Sequence, residues 1–505
     1  MITSWKNWGS QLALASCVIV GGAIASANCA FAQITPDGTL PNNSRVITQD
    51  NIRTIEGGTQ AGGNLFHSFR EFSVPTGGTA FFNNAQGIQN IISRVTGGSV
   101  SNIDGLIRAN GTANLFLINP NGIVFGRNAS LNIGGSFVAT TASSLKFADG
   151  SQFSAIAAQS TPLLTISVPM GLQYGANPGS IQVQGDGQGL RSTSELIDTT
   201  SGLWVQPNQT LALVGGDVSL EGATLKTAGG RIELGSVGHN SLVSLTPINK
   251  GFALGYDTVQ NFGNIQLSQQ AAVDASGAGG GDIQVMGRRV TLTNGSQIEA
   301  STLGAEQGGN LVVNAQDSVQ LIGISADSQF PTGLFANAYP SATGAAGNLR
   351  INTRELLVRD GGQVSASTYG AGNAGNLTVR ADSVQLIGAS SNGRSRSSLL
   401  TETSKNSTGA AGDLTINTRE LLAQNGAFVG ARTFGAGNAG NLTVNADSVQ
   451  LTGNSLSGDA SALIATSEEA ATGAAGNLTI NTSKLSLEDG AQVSAGTWGP
   501  LKGGT

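Results

Sequence analysis

The sequence predicts an all-β protein built as a right-handed parallel β-helix, a β-solenoid. Three observations predict it: a set of sequence blocks that returns at fixed intervals, short strands of alternating apolar and polar residues, and Gly or Asn between those strands.

The repeat is the strongest of the three. TGAAGNLRINTRELL starts at Thr343, TGAAGDLTINTRELL at Thr408 and TGAAGNLTINTSKLS at Thr472. DSVQLIG or DSVQLTG starts at Asp317, Asp382 and Asp447, and GAGNAGNLTV at Gly370 and Gly435. A diverged copy, GAGGGDIQVMGRRVTLTNGSQIEAS, starts at Gly277. Each unit divides into unequal halves, and the half from Asn348 to Asn376 equals in length the half from Asp413 to Asn441. Each half reads as a Gly-Asn corner and three short strands, which makes one coil of about 20–30 residues.

Alternation places Leu349, Ile351, Leu356, Val358 and Val364 inward, with Thr, Asn, Arg, Ser and Gln facing out. Gly and Asn at the corners are expected to supply left-handed backbone angles. Roughly twenty coils at about 4.8 Å each predict a rod on the order of 100 Å, with ends that need capping.

The composition agrees. Charged residues are 11%, Gly is 73 of 505 and Pro only 12, while hydrophobics remain at 39%, too many and too evenly spread for a disordered chain. Helical periodicity is weak throughout, and no glycine fingerprint follows a strand and opens a helix.

Taken along the chain, residues 1–32 read as a secretory signal. Lys6 precedes an apolar run from Leu12 to Ala27, and Ala30-Phe31-Ala32 fits the cleavage rule, with Gln33 as the first mature residue. A lipoprotein reading would use Cys29, but Asn28 stands where that cleavage wants Gly or Ala. Cys17 and Cys29 both fall in the signal, so the mature chain has no thiol, disulfide or Cys-based metal site. Its formal charge is 24 − 31 = −7, since Lys6 leaves with the signal. That balance argues against nucleic acid or anionic lipid as partner. No later segment is apolar for long enough to form a transmembrane helix.

Residues 33–150 are richer in Phe and do not share the repeat. NLFHSFREFSV (Asn64 to Val74) is followed by FFNNA, then IISRVTGGSVSNIDGLI (Ile91 to Ile107), then ANLFLINPNGIVFG (Ala113 to Gly126). NPNGI makes sense as a corner between strands: Pro120 presets φ, Asn121-Gly122 tolerate positive φ, and Asn119 caps the turn. The runs LFLI and IVFG read as strands buried on both faces.

This stretch resembles the haemagglutination-activity domain, the secretion domain of filamentous-haemagglutinin-type two-partner secretion exoproteins. NPNGI is that family's best-known motif. LTISVPMGLQYGANPGSIQVQG and LALVGGDVSLEGATLKTAGGRIELGSV further on resemble the continuation in cyanobacterial members, so the resemblance covers essentially the whole mature chain. One departure is NAQGIQN (Asn84 to Asn90), where the family often has Asn-Pro-Asn-Leu, so no partner contact carries over there. The resemblance implies an N-terminal capping secretion domain recognised in the periplasm by an outer-membrane barrel transporter, with folding at the cell surface. It assigns secretion to Asn119, Pro120, Asn121, Gly122 and Ile123, within a domain whose first segment contributes Asn64, His67, Phe69 and Phe72.

The expected layout is a signal peptide at 1–32, the secretion domain at 33–150, a β-helix continuation at 151–276 and the repeat-built β-helix at 277–505. The expected function is a secreted or surface-held adhesin, with glycans or cell surfaces as further partners, no enzyme activity, and no cofactor or metal. The alternative is a β-helix polysaccharide-degrading enzyme, for which Asp360, Glu355 and Glu420 are the acidic candidates. Glu355 and Glu420 occupy one repeat position that Ser483 fills in the next copy, beside Arg354 and Arg419, which reads as a solvated ladder. His67 and His239 lie far apart, which argues against a His-based metal or nucleophile site and makes a structural role for His67 the better reading. GAGGGD (Gly277 to Asp282) is faintly similar to Gly/Asp calcium repeats, yet Asp282 aligns with the corner residues Asn348, Asp413 and Asn477. The C-terminal SAGTWGPLKGGT has no globular character and gives a toxin reading nothing to rest on.

Overall fold

A computed structural model describes residues 33–156, 164–189, 202–249 and 251–498. The expected signal at 1–32, with both cysteines, lies outside the described residues, as do 499–505. Every element among the described residues is a strand, and residues 32–505 form one compact unit.

Strands stack in parallel as the coils of a β-helix. On one face Leu65, Ile91, Leu115, Phe137, Leu211, Ile232, Ile283, Leu311, Leu349, Leu377, Leu414, Leu442 and Leu478 follow one another rung by rung. A second face runs from Ile103 through Phe125 and Val183 to Leu487. A third face, a ten-stranded sheet, runs from Leu203 through Leu225 to Val493. Short of the last coil, the side chains at these rungs form one continuous apolar core, and Leu349, Ile351, Leu356, Val358 and Val364 all lie in it.

Among the described residues the first face has thirteen rungs, not twenty, so that stack is about 60 Å long rather than 100 Å. Coils are longer than expected. From Asp282 the step between equivalent corner residues alternates 28, 38, 28, 37, 28 and 36, because every second coil makes an excursion before the third face. Antiparallel bridges Ile324–Pro331, Ala389–Arg396 and Asn454–Ala460 close these excursions. Nearer the N-terminus two connections are longer still, one between the rungs of Phe137 and Leu211 and one between those of Ile232 and Ile283.

Those long connections build an antiparallel flap from Ser144–Phe147, Gln152–Ser154, Pro169–Gln173, Leu242–Ile248 and Gly251–Gly255. It covers the outer side of the first face, where Phe66, Ile92, Phe116, Val138, Ala212 and Val214 make a second core with Leu145, Phe153, Leu172 and Leu254. Asn114–Ile118 is therefore buried on both sides, as LFLI suggested. Ile123–Phe125 is not: Val124 faces outward and is only half-buried, since the flap does not cover the second face.

At the N-terminal end Ile34–Pro36 lies antiparallel on Asn64–Phe72, and Ser44–Gln49 lies antiparallel on Ile52–Gly57. These antiparallel strands occupy the end of the parallel stack and cover its first coil.

The corners divide the labour differently from the expectation. Gly347, Gly375, Gly412, Gly440 and Gly476 keep negative φ. They are glycines because a Cβ on each would run into the carbonyl oxygen of the glycine one coil before, Gly309 through Gly440 in turn. Left-handed angles belong to another corner, where Asn294-Gly295, Asp360-Gly361, Asn425-Gly426 and Asp489-Gly490 each place two successive residues at positive φ.

Candidate functional site

The corner Asn119–Ile123 joins Asn114–Ile118 on the first face to Ile123–Phe125 on the second. Asn119 is wholly buried. Its Nδ2 donates to Ser99 O (3.0 Å) and Ser101 Oγ (2.9 Å), and its Oδ1 accepts from the Asn121 backbone N–H (3.0 Å). Gly122 N–H donates to Asn119 O (3.2 Å), so the turn closes on both the main chain and the Asn119 side chain. Of the Asn121-Gly122 pair only Gly122 takes positive φ, at 124°. The corner also docks on the next coil through Gly179 N–H to Pro120 O (2.9 Å) and Ile123 N–H to Ser180 O (3.0 Å). Asn121 alone of the five is exposed, and its Nδ2 still donates to Gly97 O (2.6 Å).

Asn64, His67, Phe69 and Phe72 are likewise buried. Asn64 starts a ladder across three coils: Asn90 Nδ2 donates to Asn64 Oδ1 (2.9 Å) and Asn114 Nδ2 to Asn90 Oδ1 (3.0 Å). Asn64 Nδ2 reaches out to the flap connection at Thr165 O (3.0 Å) and Ser167 O (2.9 Å). His67 stacks on Phe69 with centroids 6.0 Å apart, and its Nδ1 lies 3.0 Å from Ser44 Oγ. Burial pushes its pKa down to about 4, so the ring is neutral and serves as core. Phe69, Phe72 and Phe82 pack beside it. Asn84, in the departing NAQGIQN segment, exchanges bonds with Asn110, accepting from its backbone N–H (2.9 Å) and donating to its carbonyl (3.1 Å).

Arg94, in IISRV, carries no mark in the sequence beyond sitting in an apolar run, yet it is 1% exposed. It donates to Ser68 Oγ (2.8 Å), Ser154 O of the flap (2.6 Å) and Thr39 Oγ1 (2.8 Å), and it lies 4.2 Å over the Phe153 ring. Burial pushes its pKa down to about 10, against the opposing pull of Asp37. Burial also raises the Asp37 carboxyl, but bonds from Ser68, Thr96 and Thr39 outweigh it and hold that carboxyl below the usual range. One guanidinium thus ties the N-terminal segment, the first coils and the flap together.

A second buried group, also unmarked in the sequence, lies where the flap meets Arg231–Ser236. Glu233 is fully buried, its Oε1 accepting from Arg231 Nε (2.5 Å) and Leu254 N–H (3.2 Å). Burial raises its pKa to about 7, more than the Arg231 charge lowers it. Its Oε2 and the nearby buried Tyr256 hydroxyl make no hydrogen bond to protein among the described residues.

Of the enzyme candidates Asp360 stands apart, and Glu355 and Glu420 share a groove two coils from one another. Asp360 sits at a left-handed corner 2.8 Å from Arg359. Glu355 and Glu420 line a groove of about 690 Å³ along the bend between the first two faces. In that groove Arg354 pairs with Asp317, and Arg419 with Asp382 at 3.5 Å, in a column that alternates Asp317, Arg354, Asp382, Arg419 and Asp447 from coil to coil. His239 is exposed, far along the chain from His67. Asp282 is a corner residue: its Oδ1 accepts from Asn310 N–H (2.9 Å) and its Oδ2 lies 3.3 Å from Arg231. Asn348, Asn376, Asp413 and Asn441 each accept from the backbone N–H of the next coil's corner residue at 2.9–3.1 Å. No three His, Asp or Glu side chains gather as a metal site among the described residues.

Residues 32–285, half of the chain, match the family described as TPS secretion domain. The crystal structure of the HMW1 secretion domain from Haemophilus influenzae shares the fold, with TM-score 0.56 and 15% identity over 90% of this chain and 99% of that one. The crystal structure of a filamentous hemagglutinin secretion domain aligns with TM-score 0.31 and 15% identity over 71% of this chain and 95% of that one. No curated protein matches the chain.

Proposed function

This chain belongs to the TPS secretion domain family, substrates that a two-partner system exports across the outer membrane, and on that premise we propose that it is an adhesin-like exoprotein. A leader at 1–32 takes it into the periplasm. There the partner, an outer-membrane barrel transporter with periplasmic recognition domains, engages residues 33–150. The coils then fold outside and are held at the surface or released. Long faces of Ser, Thr, Asn and Gln suit weak, multivalent binding to glycans or cell surfaces.

The observation that carries this reading is the burial of the motif. Asn119 and Ile123 have no free surface once the coil has closed, and Gly122 is buried with them. Asn64, His67, Phe69 and Phe72 have almost none. Such side chains can meet a transporter only while the chain is extended. In the folded state they act by closing the first coils, which keeps the emerged chain from sliding back.

The test is co-expression with and without the cognate transporter, with the protein assayed in the medium. Release should require the transporter. Asn119→Ala, which strips Ser99 O and Ser101 of their donor, should lower release more than Asn121→Ala does. Transporter-independent release would sink the export reading. A polysaccharide-degradation assay addresses the alternative: product formation lost in Glu355→Gln would make the protein an enzyme instead.

A further inference from the structure

Two of the excursions made by the long coils flank a channel of about 720 Å³ on the outer surface of the ten-stranded sheet. Its floor is polar although nearly covered, with Gln297, Glu299 and Asn337 retaining 8%, 5% and 4% exposure. Its walls are aromatic. Phe330 comes from the first excursion and Phe335 from the sheet, while Tyr339 and Tyr369 stand on consecutive coils with ring centroids 6.0 Å apart and planes 30° from parallel. Tyr369 is 41% exposed. At one side the second excursion brings Arg394, whose backbone N–H donates to Asn392 Oδ1 (3.0 Å) while its guanidinium makes no ion pair or hydrogen bond among the described residues.

We propose that this channel is a carbohydrate-binding site for an unbranched pyranose chain lying along the helix axis. A pyranose presents C–H groups on its faces and hydroxyls at its rim. The channel offers the complement: rings to stack against, and carboxylate, amide and guanidinium groups to meet hydroxyls. Part of the floor is already committed, Gln297 Nε2 donating to Pro331 O (3.0 Å) and Asn337 Oδ1 accepting from Ser365 Oγ (2.9 Å) and Ser367 N–H (2.8 Å). An apolar peptide would cover the remaining polar atoms with groups that cannot hydrogen-bond, which disfavours it. Tyr339 and Tyr369 stand on adjacent coils, with Leu303 and Ser404 at the matching positions on either side, and their rings, 6.0 Å apart, are spaced on the order of one sugar unit. The proposal rests on the reading of the coils as a binding rod and is independent of the export route.

Calorimetric titration of the whole secreted protein with cellohexaose, chitohexaose and xylohexaose tests it. At least one probe should bind saturably. Tyr369→Ala should weaken that binding roughly 10-fold with unchanged thermal melting, while Tyr369→Phe, which keeps the ring, should retain most of it. Arg354→Ala, in the groove between the other two faces, should leave binding as it is. A probe that binds equally to wild type and Tyr369→Ala overturns the site and leaves the adhesin reading standing. No saturable binding by any of the three overturns the site, and export assayed in the medium is untouched by either result.

Discussion

Replacing Gly412 by Ala tests the idea that the corner glycines are set by coil stacking rather than by backbone angle. Its new Cβ would fall more than 1 Å inside the 3.0 Å that real Cβ atoms keep from the Gly375 carbonyl oxygen. The corner must therefore move outward by at least that much. Two bonds hold it to the preceding coil at 2.9 Å, Asp413 N–H to Asn376 Oδ1 and Leu377 N–H to Asp413 O. A shift of about 1 Å stretches both to near 4 Å, beyond hydrogen-bond range. Overpacking of about 1–3 kcal/mol and two lost bonds of about 1 kcal/mol each predict about 3–5 kcal/mol of local destabilisation. In a stacked array the loss should be local, so hydrogen exchange should accelerate between residues 377 and 442 before the distant coils respond. The control is Gly388→Ala. Gly388 has φ 72° and nothing within 4 Å of a built Cβ, so only left-handed strain of about 1–2 kcal/mol applies. If Gly412→Ala costs less than Gly388→Ala, or leaves exchange in those coils unchanged, the stacking argument is wrong.

Two further outcomes follow from the buried charges. Glu233 has a folded-state pKa raised from 4.5 to about 7, so its stabilising form is the protonated one, fully present below pH 4.5 and lost as pH rises through 7. Wild type should lose about 3 kcal/mol across that window relative to Glu233→Gln, read from urea midpoints at each pH; a constant difference between the two would refute the assignment. Arg94→Ala leaves Ser154 O and Thr39 without their donor and removes the charge that interacts with Asp37, and should cost about 3–5 kcal/mol. Exchange at residues 34–40 should rise first, and unchanged protection there would show that Arg94 does not hold the N-terminal segment.

The coil register was legible because a parallel stack demands the same inward residue on every rung. LTINT, LTVNA and DSVQL therefore announce both their strands and their spacing. The ladder character of Arg354, Arg419, Glu355 and Glu420 was legible for the same reason. The flap was not. Its strands come from two stretches well separated in the chain that pair antiparallel, and neither stretch repeats. Only the reading of LFLI as a strand buried on both faces hinted at a cover, and the same reading of IVFG pointed to one that is not there. Arg94 and Glu233 are structural through that cover, so a sequence read without the flap gives no reason to bury them. The corner glycines were seen and their cause misjudged, because a steric column between coils leaves no mark on local turn chemistry. The channel of Phe330, Tyr339 and Tyr369 draws on an excursion whose length, unlike its sequence, is what repeats.

The alternation of Asp317, Arg354, Asp382, Arg419 and Asp447 has a further effect on how the rod can be assembled wrongly. Skipping one coil sets Asp317 over Asp382, or Arg354 over Arg419, one rung apart, so attraction turns to repulsion at that step. Each such pair is largely exposed and worth only a fraction of about 1 kcal/mol, and the repulsion falls at that one step, because beyond it the coils meet their own neighbours again. The column therefore acts as a parity check on stacking order. It rejects odd slips and passes even ones, and an even slip is one whole repeat unit. Loss or gain of such a unit leaves the alternation intact, which makes the rod's length, unlike its phase, free to vary.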